Sequence, residues 1–191
     1  MAGILKVDKY QDFNGNDIMT SDGAGNVTLS SGMNTAVAAG TNNTPAFLAR
    51  SIAQQDISDN TFTKVQFTSE DYDTDNTYDN SSNYRFTPGV AGKYNLYSQV
   101  GGYGISNTSQ DITISIYKNG TDYIQQRQGF SDMAIQNSGT YALYTSATVD
   151  VSASDYFEVY FKLNTNGVNA RIDYNSTKLY TFFGAYRIIG A

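Results

Sequence analysis

From Asp111 to Lys118 apolar and polar residues alternate. Ile112, Ile114 and Ile116 fall on one side, and Thr113, Ser115 and Tyr117 on the other. A period of two places alternate side chains on opposite faces of a strand. The Asn119-Gly120 that follows is a hairpin signal, and Tyr123 to Phe130 reads as the return strand. Asp155 to Leu163 has the same character: Phe157, Val159, Phe161 and Leu163 share one face, and Tyr156, Glu158, Tyr160 and Lys162 share the other. Further strand candidates are Ala46 to Ile52, Phe62 to Phe67, Tyr141 to Val151, Arg171 to Tyr174 and Leu179 to Ile189. No stretch carries a long helical period. Short strands separated by turn signals predict a sandwich or barrel.

Between Tyr78 and Val100 an aromatic strand ends near Thr87, and a second strand alternates Tyr94, Leu96, Ser98 and Val100 on one face. Pro88, Gly89 and Gly92 separate the two. Proline cannot sit in a central strand and glycine takes a positive φ cheaply, so this is a corner onto which the rest of the sheet is built.

The first 44 residues differ. Ile18-Met19-Thr20 and Val27-Thr28-Leu29 are strand-like pieces around a hairpin loop, Asp22 to Asn26, and Asn14-Gly15 is a turn signal. Ser30 to Thr44 is small and polar, as in a linker, with Ala36 to Ala39 as a brief helical candidate. Two readings stand for this segment. One is an attachment arm that orders on a partner. The other is a loose tail, or a strand pair packed on its own domain. The expected organisation is an arm over 1–44 and a β domain over 45–191.

Composition narrows the chemistry. The 191 residues contain no cysteine and no histidine. That removes disulfides, thiolate metal sites, the usual general base and the commonest zinc ligand. Sixteen tyrosines and only two prolines suit pleated, half-buried strands. A net charge of -6 disfavours nucleic acid and anionic membranes as partners. No apolar run reaches the length of a membrane span, and Met1 to Gln11 lacks the blocks of a secretory signal. The expectation is a chain that stays inside the cell or leaves by a route that needs no signal.

Several motifs, in order, carry a resemblance. They are Tyr78-Asp79; Phe86-Thr87-Pro88; Ala91-Gly92-Lys93-Tyr94; Ile114 to Gly120, ending Lys118-Asn119-Gly120; Ser138-Gly139; Asp155 before an aromatic strand; and Tyr180 to Tyr186. From about Pro45 onward the chain resembles the globular head of the first complement component, a jelly roll of the tumour-necrosis-factor superfamily. The resemblance implies an antiparallel jelly-roll β-sandwich that assembles as a trimer. The collagen stalk of many animal members has no counterpart before Pro45. The segment Thr20 to Leu29 instead resembles N-terminal segments of bacteriophage structural proteins.

The expected function is therefore a virion structural protein: a trimeric knob, fibre or decoration protein held to other virion proteins through residues 1–44. Two alternatives stand beside it. One is a tail-fibre knob that binds a host receptor or glycan. The other is a carboxylate-based polysaccharide depolymerase. No cofactor is expected, apart from a calcium candidate at Asp71, Asp73, Asp75 and Asp79. These follow positions one, three, five and nine of a calcium loop, but Asn76 and Ser82 replace its glycine and glutamate. The bland alternative is a solvated acidic loop. Tyr94, Tyr97, Tyr156 and Tyr160 are the expected subunit-interface residues, because tyrosine packs its ring while its hydroxyl finds a polar partner.

Overall fold

The structure, a computed structural model, describes residues 7–33, 43–105, 109–130, 139–165 and 170–189. The regular secondary structure of the described chain is nearly all strand. It divides into two compact units, with the boundary between Asn42 and Asn43.

In the first unit, β1 (Lys9–Gln11), β2 (Asp17–Ser21) and β3 (Val27–Leu29) form an antiparallel meander. The strand-like pieces Ile18 to Thr20 and Val27 to Leu29 are strands of this sheet, around the expected hairpin loop. The reason lies in its two loops. Asp12 accepts the backbone N–H of Asn14 and of Asn16, and the Asn16 side-chain amide at 2.8 Å. Ten residues later Asp22 does the same with Ala24 and Asn26, the side-chain bond being 2.6 Å. An aspartate that bonds its own backbone two and four residues on mimics a turn and closes the hairpin locally. The helical candidate Ala36 to Ala39 lies outside the described residues.

The second unit is an antiparallel sandwich of two sheets. One sheet centres on the long strand β10 (Gly92–Ile105). Along its full length β10 pairs on one edge with β13 (Gly139–Val151). Its other edge pairs first with β16 (Phe182–Arg187) and then with β15 (Arg171–Asp173). Outward from β16 lie β4 (Ala46–Arg50) and β7 (Ser69–Asp73), and β15 carries β5 (Gln55–Asp56). In the other sheet, β12 (Thr121–Gly129), β11 (Asp111–Lys118) and β14 (Phe157–Asn164) lie side by side. Beyond β14 come β9 (Arg85–Phe86) and β8 (Tyr78–Asp79), and β6 (Thr63–Lys64) pairs with β14 as well.

The alternating residues meet between the sheets. Tyr94, Leu96 and Val100 from β10, Phe47 and Ala49 from β4, and Phe183 and Ala185 from β16 face Ile112, Ile114, Ile116, Phe157, Val159, Phe161 and Leu163; all are buried. Phe47 is the hub, stacked on Tyr78 at 4.8 Å and Phe86 at 4.7 Å, and edge-on to Phe183 at 5.0 Å. The corner at Pro88 thus does not fold one strand back on its neighbour. It carries the chain from β9 in one sheet to β10 in the other. The Phe62 to Phe67 strand is shorter than expected, since only Thr63 and Lys64 pair, while Val65 and Phe67 turn into the core.

Candidate functional site: a polar cleft and a tyrosine-rich face

Each carboxylate of the acidic stretch is engaged by the chain around it. Asp71 pairs with Arg50 at 2.9 Å. Asp75 accepts the Thr74 hydroxyl at 2.7 Å. Asp73 accepts the Thr77 hydroxyl at 3.1 Å and the Tyr78 N–H at 2.7 Å, pinning the loop that enters β8. Asp79 pins the loop that leaves β8. It accepts the N–H groups of Ser81, Ser82 and Asn83, and the Asn83 side-chain amide at 2.7 Å. Those donors favour the ionised form and hold the Asp79 carboxyl far below the ordinary range. The four carboxylates that the calcium pattern grouped therefore each serve local partners of their own. Among the described residues no three acidic side chains are arranged to hold a metal ion. The spacing that did matter is Asp-x-x-x-Asn, which recurs at 12/16, 22/26 and 79/83.

Beside these loops lies a polar cleft of about 410 Å³. Its lining comes from β7, β8, β9 and their loops: Glu70, Asn76, Thr77, Asp79, Asn80 and Arg85 are the principal polar members. β7 is the outermost strand of one sheet and β8 that of the other, so the cleft opens at the edge of the sandwich. The Glu70 carboxyl makes no hydrogen bond or ion pair among the described residues, and burial, then Asp73, raises its pKa. Arg85 makes no ion pair among the described residues, and its guanidinium lies 4.8 Å from the Tyr156 ring centre. Neither residue stands out in the sequence, because both are ordinary charged residues on short strands.

A second surface lies on the outer face of the β10 sheet. Register places Tyr72, Leu48, Gly184, Tyr97 and Ser146 in one row across β7, β4, β16, β10 and β13. Flanking rows add Phe182 and Tyr144 on one side and Tyr186 on the other. Tyr97 lies 6.3 Å from Phe182 and 6.2 Å from Tyr186, centre to centre. A Cβ on Gly184 would stand 2.4 Å from the Tyr97 ring, so only glycine lets that ring lie flat across β16. Burial, then a hydrogen bond with Tyr72, raises the Tyr97 phenol. Tyr72, Tyr144 and Tyr186 remain 45%, 51% and 40% exposed.

The four tyrosines expected at an interface do not share a surface. Tyr97 lies on this face. Tyr94 is a correction: it is wholly buried in the core, its hydroxyl donating to the Val90 carbonyl at 2.8 Å, so no second subunit can reach it. Position 94 points inward because it is one step out of phase with Tyr97. Tyr156 and Tyr160 belong to the other sheet. There Tyr160 stacks on Tyr117 at 4.1 Å, beside the Lys64–Glu158 ion pair of 2.6 Å. Tyr156 lies against Arg85, so both sit among charges.

The sandwich has the fold of the tumour-necrosis-factor and complement-head jelly rolls. Among solved structures it is similar to an Eiger tumour necrosis factor from S. frugiperda, with a TM-score of 0.55 and 13% identity over 76% of this chain and 93% of that one. Murine APRIL gives a TM-score of 0.54 at 13% identity, covering 75% and 98%. The globular domain of zebrafish complement 1qA gives 0.51 at 11% identity, covering 75% and 97%. No family model and no curated protein matches the sequence.

Proposed function

We propose that the protein is a homotrimeric structural knob of a bacteriophage particle, joined to other virion proteins through its N-terminal unit and without catalytic activity. The observation that carries the trimer is the outer face of the β10 sheet. Tyrosine and phenylalanine gather there, and the charged side chains in and beside the central rows are in ion pairs, Arg50 with Asp71 and Lys93 with Asp150. Aromatic enrichment with few charges is the composition of an interface centre. The opposite sheet instead presents Lys64, Glu158, Lys162 and Arg127, all in ion pairs. A three-fold arrangement follows from the superfamily resemblance, and cyclic closure leaves no sticky surface for fibres. Three N-terminal units on one knob would bind a particle together, gaining strength through effective concentration. The phage assignment rests on the likeness of Thr20 to Leu29 to phage structural segments.

Sedimentation equilibrium of the full chain should give three times the monomer mass, and Tyr97→Asp should give a folded monomer. Removing residues 1–42 should leave the trimer intact and abolish incorporation into particles. A monomeric wild type overturns the trimer. Normal incorporation of the truncated chain overturns the attachment role. Release of reducing sugar from a host polysaccharide overturns the non-catalytic reading.

A further inference from the structure

The geometry points to the cleft between β7, β8 and β9 as a binding site for a neutral saccharide, held by Glu70, Arg85 and the amides of Asn76 and Asn80. This inference does not rest on the trimer, because a single chain forms every wall of the cleft.

Three observations carry it. The first is size: about 410 Å³ falls in the range of small-molecule sites and suits one or two sugar rings. The second is preorganisation. Asp73 and Asp79 lock the loops on either side of β8 through backbone donors, so the walls need no ordering when a ligand arrives. The third is the set of polar groups left over once those locks are made. Glu70 and Arg85 have no ion-pair partner among the described residues, and no hydrogen bond engages the Asn76 or Asn80 side chain there.

The chemistry of those groups selects the ligand class. Carboxylate, guanidinium and carboxamide are planar groups that each offer two-point contacts. Adjacent hydroxyls on a sugar ring present donors and acceptors at matching spacing. The charged members of the lining are Glu70, Asp79 and Arg85, which leave the cleft slightly negative and disfavour phosphates, nucleotides and acidic sugars. An apolar ligand is disfavoured as well, since Tyr78 is the sole aromatic of the lining and its ring is stacked on Phe47.

The test is NMR titration of the full-length, amide-labelled protein with neutral disaccharides (lactose, maltose, cellobiose and diacetylchitobiose), beside sialyllactose and inorganic phosphate as charged probes. At least one neutral disaccharide should shift the amide signals of Asn76 to Arg85. Glu70→Gln should weaken that binding tenfold or more. Arg85→Lys, which keeps a cation beside Tyr156 but removes the guanidinium fork, should do likewise. Lys162→Gln, outside the cleft, should leave it unchanged, and all three variants should melt as wild type does. The inference is overturned if no neutral disaccharide moves these signals at millimolar concentration. It is equally overturned if only the charged probes do so, or if both cleft variants bind like wild type.

Discussion

Asn119 donates its side-chain amide to the carboxylate of Asp155 at 2.8 Å, across a sequence separation of 36. The same asparagine accepts the Tyr156 N–H at 2.9 Å through its side-chain oxygen, and its own N–H donates to the Tyr156 carbonyl. Asp155 also pairs with Lys118 at 2.8 Å and accepts the Ser152 N–H. The Lys-Asn-Gly hairpin end and the aspartate that opens β14 are thus two halves of one lock. Asn119 and Gly120 both have positive φ, the backbone that the tight hairpin turn demands.

Asn119→Ala should cost about 2–3 kcal/mol, because the Asp155 carboxylate loses a charge-assisted bond and alanine strains the turn. Asn119→Gly keeps the turn and isolates the side-chain bonds, so its cost should be smaller. Urea denaturation measures both, and an alanine variant as stable as wild type would show that the lock contributes nothing.

The lock also sets an acid limit. Lys118, then backbone and amide donors, lower the Asp155 carboxyl from 3.8 to about 2. A carboxyl depressed on folding adds stability above its unfolded value and loses it as protons bind the folded form. Stability should therefore fall between about pH 4 and pH 2. Asp155→Asn should flatten that part of the curve, and thermal melts across the range would refute the assignment if wild type and variant kept the same slope.

Two glycines of the β10 sheet separate assembly from folding. Gly184→Ala places a methyl against the half-buried Tyr97 ring on the outer face, which can lift away from the sheet in a monomer but not beneath a partner. It should weaken the proposed trimer and leave the circular dichroism of the monomer unchanged. Gly102→Ala points the other way, with the new Cβ 2.9 Å from the buried Phe161 ring. It should destabilise the fold itself by about 1–3 kcal/mol, as overpacking does. Equal effects of both substitutions on sedimentation and on melting would contradict the assignment of the two faces.

Phe47→Ala should be among the most damaging single changes, at about 3–5 kcal/mol, because it empties the space shared by Tyr78, Phe86 and Phe183. Phe62→Ala, whose ring packs loosely with Tyr117 at 6.3 Å, should cost much less. Parallel urea titrations compare them, and similar midpoints would place the hub elsewhere.

The sequence by itself determined which residues share a face of a strand. A strand turns alternate side chains to opposite faces, so Ile112 to Ile116, Phe157 to Leu163 and Tyr94 to Val100 could be assigned to faces from spacing alone, and the motif order pointed to the jelly roll. Spacing also exposed Asn119-Gly120 as a turn, since few residues accept that backbone. What the tertiary structure decided was which faces meet and what each charge does. Tyr94 and Tyr97 look alike in sequence, yet one lies between two sheets and the other on an outer face, because covering a sheet depends on strands distant along the chain. Asp71, Asp73, Asp75 and Asp79 look like ligands for one ion, yet each bends to its nearest donor, and an isolated spacing cannot say which donor folding brings close. Glu70 and Arg85 share a cleft because the outer strands of two different sheets lie side by side at the sandwich edge, a relationship set by topology rather than by local pattern.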